Sequence, residues 1–145
     1  MTRSREGKPL GFARHGARMA LGSFLGFAGV SHLTFAREEF RSQVPDFVPL
    51  DPDLTVILSG VVEIGLGLTL LALLKKRVAV GWIAALFFVA VFPGNLAQWQ
   101  EGRDAFGLDT DAKRLARLFF QPALIALALW STAAWRDRAQ LRSKA

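Results

Sequence analysis

The chain has 145 residues, 52% of them hydrophobic, and a net charge of +6 from 18 Lys and Arg against 12 Asp and Glu. That length fits one domain, and the absence of cysteine excludes disulfides, thiolate metal sites, thiol redox relays and cysteine nucleophiles. The apolar residues fall in long blocks between short charged segments, which argues against a soluble or disordered chain; the basic residues flank those blocks, so no nucleic-acid partner is expected.

Four blocks are each long enough to cross a bilayer, whose hydrocarbon core requires about 20 apolar residues of helix. They run from about Gly16 to Phe35, Leu54 to Leu74, Val78 to Leu96, and Leu118 to Trp135. The first follows a basic start, as a signal peptide would, but no small-residue cleavage site follows it, and it reads as a membrane helix. The expected fold is therefore all-α: a four-helix up-down bundle integral to the cytoplasmic (inner) membrane, in which the three-residue turn Lys75-Lys76-Arg77 makes blocks two and three antiparallel neighbours. Twelve basic residues flank one side: Arg3, Arg5, Lys8, Arg14, Arg18, Lys75, Lys76, Arg77, Arg136, Arg138, Arg142 and Lys144. The other side holds six: Arg37, Arg41, Arg103, Lys113, Arg114 and Arg117. The asymmetry puts both termini in the cytoplasm.

In block one Gly22, Gly26 and Gly29 share a helix face, and in block two Gly60, Glu63 and Gly67 do the same, as close helix packing in lipid requires. Glu63 lies about 14 Å into its helix by the 1.5 Å rise per residue. A carboxylate at that depth is costly against lipid, so it is expected to face the bundle interior and be paired or protonated. The topology brings further polar groups to a similar depth: His32 in block one, Asn95 after Pro93 in block three, and Arg117 with Gln121 in block four. These five residues are the candidates for ligand binding or proton handling; interhelical hydrogen bonding alone is the other reading of each. Pro93 is expected to kink block three and free a carbonyl near Val89, whereas Pro122 is placed early in block four, where a missing N–H costs little. The stiff, apolar segment from Val44 to Pro52 is either a connector or a lid over the polar cluster. His15 and His32 lie about 25 Å apart along one helix and cannot share a metal, so no metal site is expected.

An ordered set of short stretches resembles the DoxX-like family of small four-helix bacterial and archaeal membrane proteins. The stretches are Gly29-Val30-Ser31-His32-Leu33, Val44-Pro45-Asp46-Phe47-Val48-Pro49, Ser59-Gly60-Val61-Val62-Glu63-Ile64-Gly65, Val91-Phe92-Pro93-Gly94-Asn95 and Arg117-Leu118-Phe119-Phe120-Gln121-Pro122. The family takes its name from a subunit of a thiosulfate:quinone oxidoreductase. The resemblance implies an accessory or quinone-binding subunit of a membrane redox system, with quinone as the candidate ligand and the role falling on His32, Glu63, Asn95, Arg117 and Gln121. No electron carrier is encoded, so a redox partner protein would supply electrons and the chain is not expected to be catalytic alone. The alternative is a non-enzymatic scaffold or a carrier of a small solute or protons, and self-association stays open alongside the bilayer as partner.

Overall fold

A computed structural model describes residues 8–143. Among these there are six α-helices and one 3-10 turn, and no strand. The helices are α1 (Phe12–Leu33), α2 (Arg37–Arg41), α3 (Pro52–Ala72), α4 (Arg77–Gln100), α5 (Asp111–Ser131) and α6 (Ala139–Arg142), with the 3-10 turn at Leu74–Lys76. The basic residues Arg3, Arg5 and Lys144 used above for orientation lie outside the described residues.

Local chemistry sets the helix ends. The Asp51 carboxylate accepts from the N–H groups of Asp53 and Leu54 at 2.9 and 3.2 Å, and Pro52 occupies the first turn, where it forfeits no helical bond. Thr110 caps α5 in the same way, accepting from Lys113 N at 3.2 Å. That cap starts α5 seven residues before the apolar block at Leu118. Its first two turns are amphipathic, with Lys113, Arg114 and Arg117, so hydropathy alone does not find them. Pro122 accordingly sits mid-helix rather than near a start, and the Leu118 carbonyl forgoes its usual partner. At the other end Ala133 adopts a left-handed conformation (φ 54°) that closes the helix, leaving Trp135 beyond it, packed against Trp82. Helix α4 runs on past Leu96 to Gln100, carrying Gln98 into a buried hydrogen bond from Gln43 (2.7 Å).

The four long helices run alternately up and down. Gly22 of α1 meets Gly67 of α3 and Gly29 meets Gly60, so these two helices are antiparallel. Phe88 and Asn95 of α4 bond to Gln121 of α5, while Arg77 at the start of α4 reaches Thr132 just past the end of α5. Arg14 near the start of α1 donates to Trp130 O near the end of α5. One end of the molecule, here called the terminal end, thus holds the helix ends near both termini and the 3-10 turn. The opposite loop end holds the two longer connections, 34–51 and 101–110.

Close approach between α1 and α3 depends on glycine. A Cβ at Gly29 would lie 2.6 Å from Gly60 O and 2.8 Å from Ile64 N, and one at Gly67 would lie 2.7 Å from Gly22 O. Backbone atoms cannot yield as a flexible side chain can, so these positions must be glycine for the helices to touch. In the terminal half, Leu21, Leu25, Leu66, Leu70, Ala84, Phe88 and Ala128 form a contiguous buried core. Among the described residues, two helices are long and apolar enough to cross a membrane: α3, and α4 together with its preceding turn.

Candidate functional site

The upper side of that core, at Leu21, Leu25 and Phe88, is also the floor of a cavity. This cavity of 1030 Å³ opens in the loop half, with walls from all four long helices. His32, Glu63, Asn95, Arg117 and Gln121, which sequence alone placed at comparable depths, all line it. Most of the remaining wall is apolar, including Phe24, Phe88 and Leu124. A predominantly apolar pocket with a few convergent polar groups is the usual form of a small-ligand site.

The α1–α3 glycine contact positions the two titratable groups. In this antiparallel pair His32 lies one turn from the Gly29–Gly60 contact toward the loop end and Glu63 one turn from it toward the terminal end, and their side chains reach each other along the close seam. Both side chains are buried, and His32 Nδ1 lies 2.9 Å from Glu63 Oε2. The His32 ring N–H, however, points at the Ala28 carbonyl, 2.8 Å away. A carbonyl only accepts, so Nδ1 carries the proton and directs it along α1. Glu63 Oε2 lies off that line and is left buried with no hydrogen-bond partner. A buried oxygen without a partner costs about 1–3 kcal/mol, so this one needs either a proton or a donor from outside the chain.

The opposite wall is a relay of amides. Arg117 Nε donates to Asn95 Oδ1 (3.3 Å), Asn95 Nδ2 donates to Gln121 Oε1 (3.0 Å), and Gln121 Nε2 donates to Phe88 O (2.7 Å). The carbonyl that Gln121 reaches is that of Phe88, one residue before Val89, whose own carbonyl loses its helical partner to Pro93. Among the described residues, the terminal nitrogens of Arg117 make no hydrogen bond, and its guanidinium lies 5.6 Å from the centre of the Phe106 ring.

The aromatic cover at the loop end, Phe40 and Phe106, was not legible as part of the site. Phe40 of α2 stacks on the His32 ring, and Phe106 packs on Phe40 with centroids 4.7 Å apart. Phe106 has a left-handed backbone (φ 56°), unusual for an aromatic residue, and is held there partly by a bond from its N–H to the Glu39 carboxylate at 3.1 Å. The clue in the sequence was the short apolar stretch Ala105-Phe106-Gly107-Leu108 inside a charged loop. Val44, Pro45, Phe47 and Val48 of the proline-rich segment also line the cavity, so this connection forms part of its wall.

A second polar cluster, at the terminal end, was read from sequence only as flanking charge. Arg77 is buried and donates to Asp137 Oδ2 and Thr132 O, each at 2.6 Å, and to Lys8 O at 3.2 Å. Arg136 binds the same carboxylate at 2.7 and 2.8 Å. Hydrogen bonding from Arg136, reinforced by Arg77, holds the Asp137 carboxyl well below the usual range, at about 2. Arg18 is also buried and donates to the carbonyls of Leu70 and Leu71, where α3 ends and its dipole is negative.

Residues 21–132 match the model of a domain of unknown function, DUF8561. The chain belongs to this family. All five candidate residues and the whole glycine contact lie inside the DUF8561 domain, whereas Arg18, Asp137 and Arg136 lie outside it. No curated protein and no solved structure matches the chain.

Proposed function

We propose that this DUF8561 protein spans the cytoplasmic membrane four times with both termini inside, and that its cavity binds a quinone or similar small amphipathic molecule as an accessory subunit of a redox system, in the manner of DoxX-like proteins. Support for the membrane address comes from outward faces on all four long helices. Met19 and Val30 on α1, Val61 and Leu68 on α3, Ile83 and Leu86 on α4, and Phe119 on α5 are all exposed. Apolar surface on that scale suits contact with lipid. The inward orientation of the terminal end is supported by Lys8, Arg14, Lys75, Lys76, Arg136, Arg138 and Arg142 there.

The observation that carries the ligand reading is the buried, unpartnered Glu63 oxygen in a cavity that also presents the free terminal nitrogens of Arg117. Such a head pocket offers both an acceptor and a charged donor within apolar walls, which suits an amphipathic ring with oxygen substituents. Electrons for any redox step would come from a partner protein, since the chain has no thiol and carries no motif for a redox group. The test is purification in mild detergent followed by native mass spectrometry. The wild type should retain an adduct of quinone mass, and Glu63→Gln should lose most of it. If neither an amphiphile nor a partner protein copurifies, the reading falls. Proton flux in liposomes abolished by Glu63→Gln, with no adduct, would favour the carrier alternative instead. The same spectra give the number of chains per complex.

A further inference from the structure

The cavity is partly covered at its loop end and open at its side. Toward the loop end, Phe40 lies over His32, Phe106 over Phe40, and Pro45 is buried in the cavity wall. Between α1 and α5 the wall is interrupted. Phe24 and Phe27 of α1 and Phe120 of α5 line the cavity yet are 51%, 66% and 66% exposed. Ala20 and Ala116, which face the same slot, are small and exposed. A route between two helices with aromatic edges and small residues in the gap admits a chain from the surrounding apolar phase rather than a solute from water.

The head end has a defined polarity. Glu63 is 7% exposed, its Oε2 has no partner, and the neighbouring His32 N–H is committed to Ala28 O. As a carboxylate it can only accept. Resting on the amphiphile reading above, we infer that the site selects an amphiphile whose head donates a hydroxyl to Glu63 and whose apolar chain leaves through the slot between α1 and α5. Among quinone-like molecules this is the reduced, hydroxyl-bearing form rather than the oxidised one, because a quinone oxygen facing a carboxylate sets two acceptors against each other. Arg117 holds the oxygen at the far side of the head.

The experiment uses the full-length purified chain in detergent under anaerobic conditions. Affinities are compared for a decyl-chain benzoquinol, its matched benzoquinone, and 4-decylphenol, which has one hydroxyl and no redox partner form. The quinol and the phenol are expected to bind about tenfold tighter than the quinone, the scale of one charge-assisted hydrogen bond. Glu63→Gln, whose amide can also donate, should reduce that preference to less than about threefold. Ala116→Trp lies on an exposed position, should leave the melting temperature unchanged, and should weaken all decyl probes about tenfold by filling the slot. Binding of the quinone as tight as the quinol, or no effect of Ala116→Trp, overturns this inference while leaving the quinone site standing. Binding of the phenol without either quinone species leaves this inference standing and removes quinone as the ligand. Failure of all three probes to bind overturns both.

Discussion

At the terminal end, Leu21, Leu25, Leu66, Leu70 and Ala128 fill the space between the helices, and the buried Arg77 has a carboxylate and two carbonyls. At the loop end the same four helices enclose an open cavity, and the buried Glu63 has an oxygen with no donor. Both ends bury charge that the chain answers, Arg77 at the terminal end and Arg114 with Asp104 and Asp111 at the loop end, but Glu63 Oε2 in the cavity is left without a donor. A satisfied buried pair fixes helix register. An unsatisfied one retains a free valence at a stability cost, which is typical of a binding site. The correspondence is incomplete, since Arg18 Nε and Ser131 Oγ at the terminal end also lack partners, but neither lines the cavity.

That contrast can be broken most forcefully at Arg77. Arg77→Ala would strand Asp137 beside Arg136 alone and remove the tie between α4 and the segment after α5, with an expected loss of about 3 kcal/mol in detergent unfolding. A loss below about 1 kcal/mol would mean the terminal end is not held by this pair. Next is the close glycine seam along which His32 and Glu63 meet. Gly29→Ala should cost about 1–3 kcal/mol by forcing α1 from α3, whereas Gly26→Ala, whose added Cβ meets nothing within 4 Å, should be neutral or slightly stabilising. Equal melting temperatures for the two variants would contradict the close approach.

Acid sharpens the comparison further. The folded pKa of Asp137 is lowered, so its contribution is present above the unfolded value near 3.9 and is lost as pH falls toward about 2. Thermal stability should therefore decline across that window, and Asp137→Asn should flatten that part of the profile while lowering stability at neutral pH. The smallest effect belongs to the cavity. Glu63→Gln should alter stability by less than about 1 kcal/mol, in either direction, because no hydrogen bond to Oε2 is lost. A large destabilisation would show that the chain itself satisfies Glu63 and that the two ends are alike.

Much of this was legible in sequence, for identifiable reasons. Apolar runs between charged flanks mark helices because water and lipid impose opposite demands on side chains. The small faces of Gly22, Gly29, Gly60 and Gly67 follow from helical periodicity, as does the common depth of His32, Glu63, Asn95, Arg117 and Gln121. The early start of α5 escaped because a capping threonine and amphipathic turns leave no hydropathy signal, and with it the mid-helix position of Pro122.

Tertiary structure alone decided which groups answer one another. Depth along a helix says nothing about rotation toward a neighbour, so the direction of the His32 N–H, the solitude of Glu63 Oε2, and the amide relay from Arg117 to Phe88 required packed helices. The same holds for Arg77 with Asp137, which are separated by 60 residues, and for the aromatic cover of Phe40 and Phe106. Periodicity is a local property of a chain, whereas hydrogen-bond satisfaction is settled only when distant segments compete for the same donors.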